Sequence, residues 1–169
     1  MEKNHVKNLV ITALAIALTY VFTAFINIRL PLVANGGLIH LGNVPLFIFA
    51  IIYGKKTGTI AGGIGMGLFD LLSGWIAWAP FTLVIVGLMG YAVGAITEKK
   101  RGYRWTVVAM LVALVIKIGG YYIAEGFIYG NWLVPVSSIP GNIVQVVTAM
   151  IIVMCVIAPL RKVVSKMIG

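Results

Sequence analysis

Apolar residues run almost unbroken from Val6 to Ile28, and further apolar stretches follow between short polar seams. At 1.5 Å per helical residue, about 20 such residues cross the hydrocarbon of a bilayer. The first run therefore predicts a membrane helix, entered by Lys3 and Lys7. It lacks a small-residue cleavage site and is long enough to span, so it reads as a retained helix and not a removed signal. A loop from Arg29 to Asn43 follows, carrying Pro31, Asn35, Gly36, Gly37 and His40. Pro45 to Tyr53 is apolar but only about half the spanning length. Either residues from Leu38 onward help it across or other helices bury it. The third run, Thr57 to Ser73, holds Gly58, Gly62, Gly63 and Gly67 at the small-xxx-small spacing of closely packed helices. A Trp- and Pro-containing turn, Gly74 to Pro80, leads to runs at Phe81–Ile96 and Trp105–Phe127. An uncharged loop over Tyr129–Ser138 precedes a sixth run, from Pro140 to about Pro159.

Composition makes the bilayer the expected solvent. The 169 residues are 61% hydrophobic and 10% charged, with a mean hydropathy of +1.06, more apolar surface than a soluble domain of this size can hide. The expectation is an all-α integral membrane protein: one domain over residues 1–169, six transmembrane helices, no separate soluble module. With six spans, eleven of the thirteen basic residues fall on one side: Lys3, Lys7, Lys55, Lys56, Lys99, Lys100, Arg101, Arg104, Arg161, Lys162 and Lys166. The positive-inside rule then places both termini in the cytoplasm. The net charge of +9 reflects that topology, and nucleic acid is not an expected partner. The single cysteine, Cys155, lies in an apolar run and reads as a small core hydrophobe.

Only Asp70, Lys117 and Glu125 carry charge inside the apolar runs. Charge in hydrocarbon costs several kcal/mol unless it is paired or lines a cavity, so such residues mark candidate sites. Asp70 lies roughly 20 Å beyond Lys56 along a helix, in the outer half of the membrane. Lys117, Tyr121 and Glu125, at i, i+4 and i+8, share one helix face. Asn142 and Gln145 sit near the outer start of the sixth run, with Trp75, Trp78 and Trp132 in the adjoining loops. These residues outline an outward-open pocket floored by an Asp70–Lys117 pair and walled by amides and aromatics. Each has a plainer role open to it. The pair would also fix helix register; Glu125 would snorkel to the surface; the aromatics would form an interfacial belt; the amides would bond neighbouring helices. His40 reads as a loop residue, with no second His or Cys nearby to share a metal. Catalysis has little support, since neither a zinc His-Glu-x-x-His, a nucleophile elbow nor a phosphate-binding Walker loop occurs. No cofactor is expected.

Several segments, in order, carry a family likeness: His40-Leu-Gly-Asn-Val-Pro45, Gly54 to Asp70 (GKKTGTIAGGIGMGLFD), Trp78-Ala-Pro-Phe-Thr-Leu with Gly87-Leu-Met-Gly90, and Pro140-Gly-Asn-Ile-Val-Gln145. In these the chain resembles the substrate-binding S components of energy-coupling factor (ECF) vitamin transporters, over most of its length. The resemblance implies capture of a small vitamin from outside the plasma membrane. It also implies association with a transmembrane coupling subunit and two cytoplasmic ATPases, so that ATP is used by partners. It adds Asn43 to the substrate-binding candidates and assigns Ala13 and Ala17, four apart on the first helix, to docking on the coupling subunit. It lays the Arg29–Asn43 loop over the pocket. The subgroup it most resembles takes hydroxymethylpyrimidine, the thiamine precursor, or pyridoxine; riboflavin and pantothenate stay open. Where the resemblance places a lysine ahead of Gly87-Leu-Met-Gly90, this chain has Val86, at a position expected to face the pocket. The readings from other classes are a stand-alone proton-coupled carrier, with Asp70 and Glu125 taking protons, and a membrane enzyme or structural protein.

Overall fold

The computed structural model describes residues 2–29 and 38–168. Among them are six α-helices: α1 (Glu2–Phe25), α2 (Asn43–Tyr53), α3 (Lys55–Leu72), α4 (Ala79–Lys99), α5 (Tyr103–Tyr129) and α6 (Ile139–Ile168). The all-α expectation needs one correction. Strands β1 (Asn27–Arg29) and β2 (Leu38–His40) pair antiparallel, with Ile28 opposite Ile39, in what the apolar pattern left as plain loop. The expected Asn35-Gly36-Gly37 flexibility falls outside the described residues. A 3-10 turn, Val134–Ser138, precedes α6.

Among the described residues, four segments are long and apolar enough to cross a membrane: His5–Phe25, Ala79–Lys99, Tyr103–Tyr129 and Val134–Lys166. Helix α2 falls short by length, and α3 carries two lysines, Asp70 and five glycines that dilute its apolar content. The short α2 is buried among its neighbours, the second of the two solutions its length allowed. It packs against α1, α3, α4 and α6, and Leu46, Phe47 and Ala50 are fully enclosed. Around it lies a core of Met66, Val86, Met89, Met110, Val146 and Val153. Helix α6 does not end near Pro159 as expected. It continues through that residue to Ile168, because one lost backbone bond is a small part of the ladder of a long helix.

The α3–α4 seam sets the depth at which polar groups meet. Gly58 and Gly62 bring α3 so close that an added methyl would lie 2.8 Å from the Gly90 carbonyl oxygen and 2.7 Å from that of Val86, respectively. Gly65 does the same for α1: a methyl there would lie 2.9 Å from Thr19 Cβ and 3.0 Å from the Ile16 carbonyl oxygen. Gly67, by contrast, makes only an ordinary contact with Leu83 at 3.6 Å. Val86 is fully buried in this seam and is not among the residues lining the cavity described next, so the expected pocket-facing position is a core position. Cys155 is also corrected. It is exposed on α6, because Val146, Ala149, Val153 and Ile157 occupy the inward face.

Candidate substrate-binding site

A cavity of about 70 Å³ lies where the C-terminal ends of α3 and α5, the start of α6 and the β1–β2 hairpin converge. A single water needs roughly 10–15 Å³ on this measure, so the space suits a handful of waters or one small ring with modest adjustment. Its aromatic wall follows from the turn after α3. Gly74 adopts φ +87, which lets the Trp75 N–H donate to the Asp70 carbonyl at 2.8 Å and carries the chain into α4. Trp75 and Trp78 meet edge to face at 5.2 Å, and Trp78 meets Tyr129 at 5.9 Å.

The polar floor is a relay, not an ion pair. Lys117 is 1% exposed, and its ammonium donates to Gln145 Oε1 at 3.0 Å. The same amide donates from Nε2 to the Leu38 carbonyl of β2 at 2.7 Å. Among the described residues the ion pair within bonding range is Lys55–Glu98, at 3.5 Å, so Asp70 and Lys117 do not touch. Asp70 shares the cavity lining with Thr82 and Tyr121, whose hydroxyls bond each other at 2.9 Å. The lysine charge sits near enough to Asp70 to act on it through space. Glu125 is 3% exposed, which removes the surface-snorkelling role. One of its carboxyl oxygens is buried without a hydrogen-bond partner among the described residues.

His40, on β2, accepts the Gly42 N–H at Nδ1, 3.3 Å away. Loss of solvent, with Lys117 second, holds its pKa well below the ordinary value. The imidazole is therefore neutral and presents Nε2–H as a donor. The cavity thus offers donors from Lys117 and His40, acceptors from Asp70 and Glu125, the two-faced amide of Asn142, and indole and phenol rings. That is a set for holding a small polar aromatic solute, with no nucleophile–base pair among its lining residues.

Residues 3–162 match the family model described as ECF-type riboflavin transporter, S component. The chain is 31% identical over 152 residues to the thiamine precursor transporter HmpT of Lactococcus lactis subsp. cremoris, covering 90% of this chain and 86% of that protein. The chain belongs to the ECF transporter S-component family. This S component is also 30% identical over 125 residues to an uncharacterized protein of Pyrococcus woesei, covering 74% of this chain and 83% of the relative. Its fold matches a solved S component of a bacterial ECF transporter at a TM-score of 0.77 and 18% identity, over 95% of this chain and 98% of that one. It is a membrane protein.

Of the residues singled out from sequence, Asp70, Trp75, Trp78, Lys117, Tyr121, Glu125, Asn142 and Gln145 all line the cavity of this S component. Asn43 does not. It is fully buried at the start of α2, and its amide makes no hydrogen bond among the described residues. Trp132 also lies elsewhere, against Tyr122 and Phe127. Sequence reasoning missed Thr23, Leu38, Met66, Phe69 and Thr82, and placed His40 only in a loop. Thr23 had a usable signal, since it repeats Thr19 four residues on and faces the same way. Ala13 and Ala17 point outward, whereas Ala15 and Thr19 on the opposite side of the helix are fully buried. Internal packing is therefore not the use of that small-residue pair.

Proposed function

We propose that this S component binds hydroxymethylpyrimidine, the thiamine precursor, from outside the plasma membrane and delivers it through an ECF complex. The observation that carries this is the cavity: small, with Trp75 and Trp78 among its walls and Lys117, Asp70 and Glu125 among its lining. An aminopyrimidine carrying a hydroxymethyl group offers a flat face for the indoles, ring nitrogens for Lys117, and amine and hydroxyl donors for the carboxylates. The name of the Lactococcus relative points the same way. Pyridoxine, with a similar ring and hydroxymethyl groups, is the second candidate. The family model's description names riboflavin; a small ring is favoured because a three-ring isoalloxazine with its ribityl chain asks more room of this site than a single ring does.

In this reading all six helices cross or enter the bilayer, both termini are cytoplasmic, and the cavity faces outward, following the distribution of cations. The chain contributes no ATPase. A transmembrane coupling subunit and two cytoplasmic ATPases supply energy, which separates this reading from a stand-alone proton-coupled carrier. The outward small face of α1 at Ala13 and Ala17 is where the coupling subunit would approach closely.

The direct test is titration of the purified chain, in detergent and without partners, with hydroxymethylpyrimidine, pyridoxine, thiamine, riboflavin and pantothenate, read by tryptophan fluorescence. Saturable binding of hydroxymethylpyrimidine with the others at least tenfold weaker is expected. Preference for riboflavin would refute the substrate assignment, and uptake by the chain alone that collapses with the proton gradient would refute the ECF dependence. A second prediction concerns α1. Ala13→Trp with Ala17→Trp is expected to leave affinity within about twofold, since neither side chain is near the cavity, while co-purification with the coupling subunit is lost. Intact assembly would show that the contact lies elsewhere.

A further inference from the structure

At the opposite end of the helices from the substrate cavity lies a second space of about 720 Å³. It exists because α2 is short. The chain leaves α2 at Tyr53 and turns at Gly54, with φ +88, while α6 runs on to Ile168. The final turns of α6 overhang a space whose other walls are the ends of α2 and α4. Ile51, Ile52 and Val164 form an apolar part, and Arg101 and Arg161 reach its rim. An adjoining cleft of about 250 Å³ shares Arg161 and continues along Tyr103, Ile157 and Ala158.

The charges here are unbalanced. Glu98, the acidic residue on this wall, is already engaged: its carboxylate accepts the Lys55 backbone N–H at 2.9 Å and pairs with the Lys55 ammonium at 3.5 Å. Neither Arg101 nor Arg161 has a hydrogen-bond or ion-pair partner among the described residues. Lys100 lies 3.7 Å above the Trp105 ring, and Tyr103 and Trp105 are both exposed beside it, the aromatic and cationic mixture typical of a headgroup layer. Two unpaired guanidiniums over a partly apolar cleft match a phosphate diester with a hydrocarbon tail.

We propose that these adjoining cavities hold one anionic phospholipid, with its phosphate on Arg101 and Arg161 and an acyl chain along Ile157 and Ala158. The apolar walls favour a lipid over a free phosphate. That the lipid comes from the cytoplasmic leaflet rests on the orientation proposed above. The site itself does not, because detergent solution exposes both ends of the molecule.

The test compares the intact chain, Arg101→Gln/Arg161→Gln, and a control, Lys99→Gln/Lys166→Gln, which removes the same charge outside the cavity. Each is equilibrated with micelles containing phosphatidylglycerol or phosphatidylcholine and examined by native mass spectrometry. Near-ultraviolet circular dichroism checks that each variant is folded. The intact chain and the lysine control should retain one phosphatidylglycerol in preference to phosphatidylcholine. The arginine variant should lose that preference by roughly 30-fold, the effect of two basic side chains on an anionic headgroup. Equal retention of both lipids, an unchanged arginine variant, or equal loss in the lysine control would each overturn the site. Displacement of the lipid by millimolar glycerol 3-phosphate or inorganic phosphate would assign the arginines to a soluble anion instead. An arginine variant that keeps its lipid but no longer joins the coupling subunit would make the cavity a protein contact and sink the lipid assignment.

Discussion

Lys117→Met should weaken hydroxymethylpyrimidine binding by at least about 100-fold, close to 2.8 kcal/mol, while the protein still folds. Methionine is unbranched and close to the lysine stem in length, so the packing cost is small. The loss is electrostatic. Lys117 is 1% exposed and is the basic residue among those lining a cavity that also holds Asp70 and Glu125. Its removal leaves two carboxyl groups without a compensating cation and deprives Gln145 Oε1 of its donor. A ligand entering such a site meets polar groups unpaired in a low dielectric, which costs far more than one lost hydrogen bond. Fluorescence titration of both proteins measures the ratio. If the methionine variant binds within threefold of the parent, the lysine is structural and the polar reading of the floor is wrong. Gln145→Leu tests the relay by a double-mutant cycle. Because the two residues act in one network, the combined loss should fall well short of the sum of the separate losses.

The second large effect concerns folding. Gly90→Val is expected to eliminate monodisperse protein after extraction, because a side chain at that position runs into the backbone of Gly58 and Thr59. Backbone cannot rotate aside as a side chain can, so the usual overpacking cost of about 1–3 kcal/mol is a lower bound. Helices α3 and α4 would have to separate, taking Asp70 away from Thr82. Gly119→Ala is the matched control. A methyl there meets nothing within 4 Å, and alanine raises helix propensity by about 1 kcal/mol. Size-exclusion profiles and melting temperatures should therefore move in opposite directions for the two glycine variants. A well-folded Gly90→Val protein would mean that the seam can open without cost.

The helices were legible because hydrocarbon imposes one rule on every span, and a 20-residue apolar run satisfies it visibly. The hairpin was not. Each strand is three residues, too short for alternation to register beside Pro31 and the glycine pair. The site was legible wherever charge was out of place: Asp70, Lys117 and Glu125 stand out in apolar surroundings, and helical spacing carries Tyr121 with them. Thr23, Met66, Phe69 and Thr82 gave no such signal, since hydroxyl and apolar residues are ordinary inside a membrane helix. Depth estimates brought Asp70 and Lys117 to the same level but could not choose the lysine's partner. That choice depends on side-chain direction, and Gln145 on α6 wins it. Asn43 failed for a related reason: as the first residue of α2 it faces the core, not the cavity.

One amide therefore links parts of the molecule that the helical core keeps apart. From the Lys117 ammonium, the path runs through Gln145 to the backbone of β2, across the ladder to β1, and into α1, whose outer surface carries Ala13 and Ala17. On the docking proposed above, a partner held against α1 is joined to the floor of the cavity through one strand ladder and one amide.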